Sequence, residues 1–166
     1  MRLKIISLLV VMFAAVITIH AQQEVARITD PRLQIKLPTV QGDSVTLSSL
    51  HGKVILLDFW ASWCGPCRVS NKKLVKLYER YKSKGFEIFG VSLDEQKNNW
   101  KKAVAKDKIS WIQVNDPRGG WEASTAAQWN ISVLPTSFLI NKKGEVVAMD
   151  LDGRELEKNI AQLLQE

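Results

Sequence analysis

A nearly continuous apolar run, Val54-Ile55-Leu56-Leu57-Asp58-Phe59-Trp60, leads within a few residues to a cysteine pair and then to a segment of helical periodicity. That junction constrains the fold more than any other feature. A run without polar alternation suits a central strand covered on both faces. In the segment that follows, Cys67, Leu74, Leu77, Tyr78 and Tyr81 fall at helical spacing and share one face. Arg68, Lys72, Lys76 and Glu79 lie on the other side, and Gly85 supplies the stop. Pro66 sets the start, because proline is tolerated in a helix only in the first turn, where its missing N–H has no partner anyway. The helix therefore begins at Cys64 or Gly65. Asp58 is the one discordant residue in the strand: a charge buried alone is costly, so this carboxyl is either neutral at neutral pH or has a dedicated partner.

The remaining elements can be read by the same rules. Residues 33 to 37 and 45 to 47 flank a turn region at 38 to 43 and predict a short hairpin. Residues 86 to 93 predict a second strand, and residues 98 to 106 a Lys-bearing helix that turns Trp100, Ala103 and Val104 inward. Residues 111 to 114 read as a short extended piece and 121 to 129 as another helix. Residues 136 to 140 and 145 to 148 flank Asn141-Lys142-Lys143-Gly144, which predicts an antiparallel hairpin. Asp152, three residues before Glu155, suggests a capping box, and Leu156, Ile160, Leu163 and Leu164 form the apolar stripe of a last helix.

The N-terminus reads differently. Met1-Arg2-Leu3-Lys4 is short and basic, and it precedes an uncharged apolar stretch from residue 5 to 19 that ends at Ile19-His20-Ala21. This is the layout of a secretory signal peptide over residues 1 to 21. A membrane anchor through residues 5 to 19 is the alternative, although the stretch is shorter than the roughly 20 residues that span a bilayer. Polar residues 22 to 31 then form a tether, and residues 32 to 166 are long enough for one globular core. The expected location is the periplasm or another exported compartment. Losing the leader removes Arg2 and Lys4 and no acid, so the formal charge of +6 falls by two to +4. Such a charge is mildly basic, and the Lys-rich segments interleave with apolar residues at helical spacing. They read as solvated helix faces, with no nucleic-acid partner.

The two cysteines carry the chemistry. Exported proteins normally use cysteines as staples between distant segments, whereas Cys64 and Cys67 stand three positions apart and close a loop too small to constrain the unfolded chain much. Their place at a helix start supplies another reason. The N–H groups and partial positive charge of a helix end stabilise a thiolate, so Cys64 is the expected nucleophile, with a depressed pKa. The helical phase puts Cys67 on the buried face as the resolving thiol. Zinc would need four ligands, and beyond the leader only His51 offers an imidazole, so no metal and no cofactor is expected.

Asp58-Phe59-Trp60-Ala61-Ser62-Trp63-Cys64-Gly65-Pro66-Cys67 resembles the active-site segment of the thioredoxin family almost residue for residue. The resemblance covers residues 30 to 166. It implies a three-layer α/β fold, a central mixed β-sheet flanked by helices, here with an N-terminal hairpin and a helical insertion. Val133-Leu134-Pro135-Thr136 is similar to the family's cis-proline loop, which implies that Pro135 faces the disulfide and that Leu134 presents its backbone to an extended substrate. Trp63, Gly65, Pro66 and Leu134 are then the expected substrate contacts. The position of Asp58 six residues before Cys64 favours a buried proton acceptor for Cys67. The N-terminal hairpin, the insertion and Val91-Ser92-Leu93-Asp94-Glu95 resemble the exported branch that includes cytochrome c maturation proteins. Many of those relatives carry a neutral residue where Asp58 stands. Asp94 and Glu95 read first as a helix start; the branch's acidic residue near the disulfide falls on one of the two, and the sequence leaves the choice open.

The expected activity is that of a thiol-disulfide oxidoreductase acting on protein disulfides, and Asp58 argues against assigning it a narrow cytochrome role alone. Gly65-Pro66 between the cysteines matches the strongly reducing thioredoxins, with potentials of about −270 mV. A reductant in an oxidising compartment implies a membrane-bound electron donor, and a monomer is expected. The alternative is a haem- or copper-handling binding module on the same scaffold. Copper-delivery relatives resemble a wider cysteine spacing with a distant histidine, which this chain lacks. Trp100, Trp111, Trp121 and Trp129 read as packing residues, while Trp60 and Trp63 flank the site and shape it.

Overall fold

Apolar runs without alternation become the buried middle of a sheet. In the computed structural model, which describes residues 31–166, every residue of β3 (Val54–Trp60) and of β4 (Phe86–Ser92) is buried. The two strands are parallel, with Val54 opposite Phe86 and Trp60 opposite Ser92. β5 (Ile112–Asn115) continues the parallel half beside β4, and β6 (Thr136–Ile140) lies antiparallel on the other side of β3. β7 (Val146–Met149) closes that edge, giving the strand order β5-β4-β3-β6-β7. A separate hairpin pairs β1 (Lys36–Pro38) with β2 (Ser44–Thr46), as expected.

Side-chain parity along β3 divides the core into layers. Ile55, Leu57 and Phe59 face a cluster completed by Leu33, Ile35 and Leu37 from the N-terminal segment and by Trp129. Val54 and Leu56 face the other way, against Leu74 and Tyr78 of α1 (Gly65–Tyr81) and Leu156, Ile160 and Leu163 of α4 (Gly153–Leu163). A third cluster joins Trp60, Ala61 and both cysteines to Trp100 and Ala103 of α2 (Lys97–Lys106). The three-layer α/β expectation is met. Gly85 ends the α1 region in the left-handed conformation that the stop requires, at φ +97°.

Several local readings change. The segment expected as a strand from residue 33 begins as a 3-10 turn at Pro31–Gln34, and only the three residues of β1 pair. The helix expected over 121 to 129 is broken into a 3-10 turn (Gly120–Glu122) and a short helix, α3 (Ser124–Gln128). Ala123 between them is extended, and Trp121 faces water while Trp129 is buried. The capping box is not formed: Asp152 stands at the N-cap of α4 without a side-chain cap, and the N–H of Glu155 donates instead to the Asp152 carbonyl. Among the described residues, no helix is long and apolar enough to cross a membrane. The leader expected at residues 1 to 21 lies outside them, as does all of the tether but Pro31.

Candidate active site

The site is built where β3 ends and α1 begins, because a strand that delivers its last buried residue at Trp60 leaves only a short loop before the helix. Cys64 is the N-cap of α1, with Pro66 in its first turn. The Cys64 sulfur accepts a hydrogen bond from the backbone N–H of Cys67 at 3.2 Å, the contact that places a sulfur on the positive end of a helix. The two cysteines are joined as a disulfide, with Cα atoms 5.3 Å apart. Cys64 keeps 6% of its surface exposed and Cys67 none. Gly65 and Pro66 beside them are exposed.

The antiparallel register brings the other half of the site into place. Thr136 pairs with Phe59, so the segment entering β6 arrives beside the end of β3. Its Leu134–Pro135 peptide is cis. Leu134 packs against the cluster that contains both cysteines, and the Thr136 hydroxyl ties the loop by donating to the Val133 carbonyl at 2.8 Å.

Asp58 has the parity of Val54, Leu56 and Trp60 and therefore points to the α1 side of the sheet. Its carboxyl is pushed up to about 7, first by burial and then by the negative charge of Asp150. It lines a groove of about 750 Å³ together with Pro66 and Val69 of α1, Pro135 and Ser137 at the start of β6, and Asp150. The groove thus joins the buried acid to the helix start and to the proline loop. Cys67 is not among its lining residues.

Two groups around the site, Arg68 and Asp107, escape the sequence reading, and a third, Asp94, is one of the two acids between which that reading leaves the choice open. Asp94 is not a helix start, since α2 begins at Lys97 after an N-cap, Gln96, that makes no side-chain bond. Asp94 is buried under the active-site loop, where it accepts from the Ser62 N–H at 2.9 Å, the Ser62 hydroxyl at 2.5 Å and the Ser92 hydroxyl at 2.7 Å. Glu95 next to it is exposed. Arg68, read as a solvated helix residue, turns back instead: it donates to the Ser62 carbonyl at 3.3 Å and forms a two-pronged ion pair with Asp107, whose second prong measures 2.7 Å. Buried Asn71 also donates to Asp107, at 3.2 Å. Burial raises the Asp107 carboxyl, but the hydrogen bonds from Arg68 and Asn71 outweigh it and hold the group below its ordinary value. Ser62, two residues before Cys64, is thus gripped from both sides. No local spacing signals this, because Asp94 lies 32 residues from Ser62 and Asp107 lies 39 from Arg68.

The two site tryptophans differ. Trp60 is fully buried and donates its indole N–H to Gln113 at 2.9 Å. Gly90 leaves the room for that amide: a Cβ there would meet the Gln113 nitrogen at 2.1 Å. Trp63 is 58% exposed beside the disulfide. Of the tryptophans read as packing residues, Trp100, Trp111 and Trp129 are buried and Trp121 is not.

A cysteine held on a helix end, a second sulfur sealed behind it and a buried acid able to change charge near neutrality can together exchange thiols for disulfides. Residues 25–164 match the family model described as Redoxin. The thiol-disulfide oxidoreductase ResA of Halalkalibacterium halodurans is 32% identical over 133 residues, which is 80% of this chain and 73% of that protein. Among solved structures, a thiol-disulfide oxidoreductase from Bacteroides fragilis superposes with a TM-score of 0.72 at 36% identity, covering 78% of this chain and 96% of its own. A thiol:disulfide interchange protein DsbE from Chlorobium tepidum gives a TM-score of 0.67 at 33% identity, covering 79% and 90%.

Proposed function

The chain belongs to the Redoxin family and is a thiol-disulfide oxidoreductase, and from that premise we propose that its Cys64–Cys67 couple reduces disulfides in proteins outside the cytoplasm. In the reduced enzyme, the thiolate of Cys64 attacks one sulfur of a substrate disulfide. The other substrate sulfur leaves as a thiolate and takes a proton from solvent. Cys67 then gives its proton to Asp58 and attacks the sulfur of Cys64, and the new Cys64–Cys67 bond expels the remaining substrate sulfur. Two electrons pass from the dithiol to the substrate, and the enzyme is left with the disulfide present here.

The observation that carries this reading is the asymmetry of the pair: the Cys64 sulfur sits on the helix end with an N–H pointed at it, and Cys67 is sealed from solvent. Asp58 suits the acceptor role because a carboxyl poised at about 7 can take or release a proton at neutral pH. Pro135 and Leu134 stand at the entry to β6, where the Leu134 backbone can pair with an extended substrate segment. Trp63, Gly65 and Pro66 form the exposed rim.

The remaining parts of the reading concern the setting. Residues 1 to 21 act as an export signal or, through residues 5 to 19, as an anchor; residues 22 to 31 are a tether and residues 32 to 166 the working domain. An exported reductant needs electrons from a membrane-bound donor, and cytochrome c maturation is one process that consumes such reducing power. The test is a Cys67→Ser trap. Without the resolving thiol, partners should remain on Cys64 as mixed disulfides that mass spectrometry identifies. Recovering none, together with a wild-type enzyme that does not reduce insulin, overturns the proposal.

A further inference from the structure

Four large apolar side chains near the disulfide are exposed: Trp63, Val69, Trp121 and Val133. Three belong to segments already placed in the site, since Trp63 precedes Cys64, Val69 follows the first turn of α1 and Val133 stands before the cis bond. Trp121 comes instead from the 3-10 turn between β5 and α3. Its indole meets that of Trp63 edge to face, with ring centroids 6.4 Å apart and planes at 67°. Trp63 remains 58% exposed and Trp121 51%. Two indoles that touch and still face water form an apolar corner, with the negative ring faces that favour aromatic neighbours.

The backbone presets this corner. Gly119, at φ +65°, lies against Glu95, and a Cβ there would stand 2.6 Å from the Glu95 Cα. The Gly120 N–H donates to the Leu93 carbonyl at 2.7 Å, which pins the turn to the end of β4. Asp116, buried at the other end of the loop, accepts from the N–H of Arg118, from the hydroxyl of Ser124 and from both the N–H and hydroxyl of Thr125. A surface held in this way loses little freedom when something docks on it, so its contacts convert efficiently into binding.

We infer that Trp121 is a specificity-determining residue. With Trp63 it receives an aromatic or long aliphatic side chain that flanks the reactive cysteine of the substrate protein. The inference rests on the reductase reading above. The occupant follows from continuity with the disulfide: Trp63 is the residue before Cys64, so a substrate sulfur that reaches Cys64 brings its neighbouring side chains to the corner. An apolar side chain covers both rings there without leaving a polar group unpaired.

The experiment uses two disulfide-linked peptides that differ only in Phe or Gly beside the cysteine. Each is reduced by the wild-type protein and by the Trp121→Ala and Trp121→Phe variants. The readout is the ratio of kcat/KM for the two peptides, which a misfolded fraction of enzyme does not change. The wild type should favour the Phe peptide. Trp121→Ala should cut that preference about tenfold, equivalent to about 1.4 kcal/mol, chiefly through KM, and Trp121→Phe should retain most of it. An equal ratio for the wild type and Trp121→Ala, with both enzymes active, overturns the inference and leaves the reductase reading standing. A wild type that reduces neither peptide removes both.

Discussion

Asp58 is the residue on which acid–base behaviour and stability meet. Its carboxyl is raised from 3.8 to about 7, first by burial and then by Asp150. The sign follows from the proton count: the folded state holds this proton more tightly than the unfolded chain does. The stabilisation is therefore complete below 3.8 and disappears as pH rises through about 7. Above that point the buried charge costs on the order of 4 kcal/mol relative to an unperturbed carboxyl. Asp58→Asn removes the titration. Urea unfolding of the oxidised variant and wild type should show the variant gaining relative stability between pH 5 and pH 9. The same substitution should slow insulin reduction roughly 100-fold at neutral pH and erase an inflection near the wild-type value. A variant as fast as the wild type across that pH range would remove Asp58 from the mechanism. This residue is legible in the sequence because a carboxylate in an apolar run contradicts its surroundings. Asp94 is legible only as one of two candidates, since nothing in Leu93-Asp94-Glu95 tells which acid is the buried acceptor, and its partner Ser62 lies 32 residues earlier.

At the scale of elements, the ion pair of Arg68 and Asp107 decides how α1 sits. Asp107 caps the C-terminus of α2, so the pair fastens the helix that carries the cysteines to the end of α2. Arg68 also holds the Ser62 carbonyl, which links the same guanidinium to the active-site loop. Its side chain is 23% exposed and that of Asp107 only 3%, so removing the arginine strands a nearly buried carboxylate. Arg68→Met should lower stability by about 3 kcal/mol in urea unfolding at pH 7, whereas Asp107→Asn paired with Arg68→Met should recover part of that loss because no charge is then left unpaired. A double variant no more stable than Arg68→Met alone would falsify the pairing argument. Helical periodicity identifies α1 and its apolar stripe correctly, yet it puts Arg68 on the solvent side. The 3.6-residue repeat fixes an angle around the axis, whereas a long side chain can bend back toward a partner that only the tertiary fold supplies. The helix expected over 121 to 129 fails for a related reason: the buried Asp116 organises that loop through contacts the local pattern does not contain.

For the molecule as a whole, rigidity should fall outward from the β3–β4 pair. These strands are buried throughout, lie at the centre of the sheet and face apolar clusters on both sides, which is why the nearly continuous apolar run of β3 is so readable. β7 is an edge strand with Val146, Val147 and Met149 exposed, and the β1–β2 hairpin has only three paired residues in each strand. Their short lengths and exposed positions are also why sequence alone misplaces their ends. The Cys64 sulfur stands where these regimes meet, on a helix rooted in the rigid pair and beside exposed loops. Hydrogen exchange of the oxidised protein should therefore sort into two classes. Amides of β3 and β4 should exchange only through global unfolding, with protection that tracks the denaturant-measured stability, while β7 and the β1–β2 hairpin should open locally and exchange roughly 100-fold faster or more. Protection of β7 equal to that of β3 would mean that the edge is held as firmly as the centre, and the disulfide would then lie in a uniformly rigid molecule.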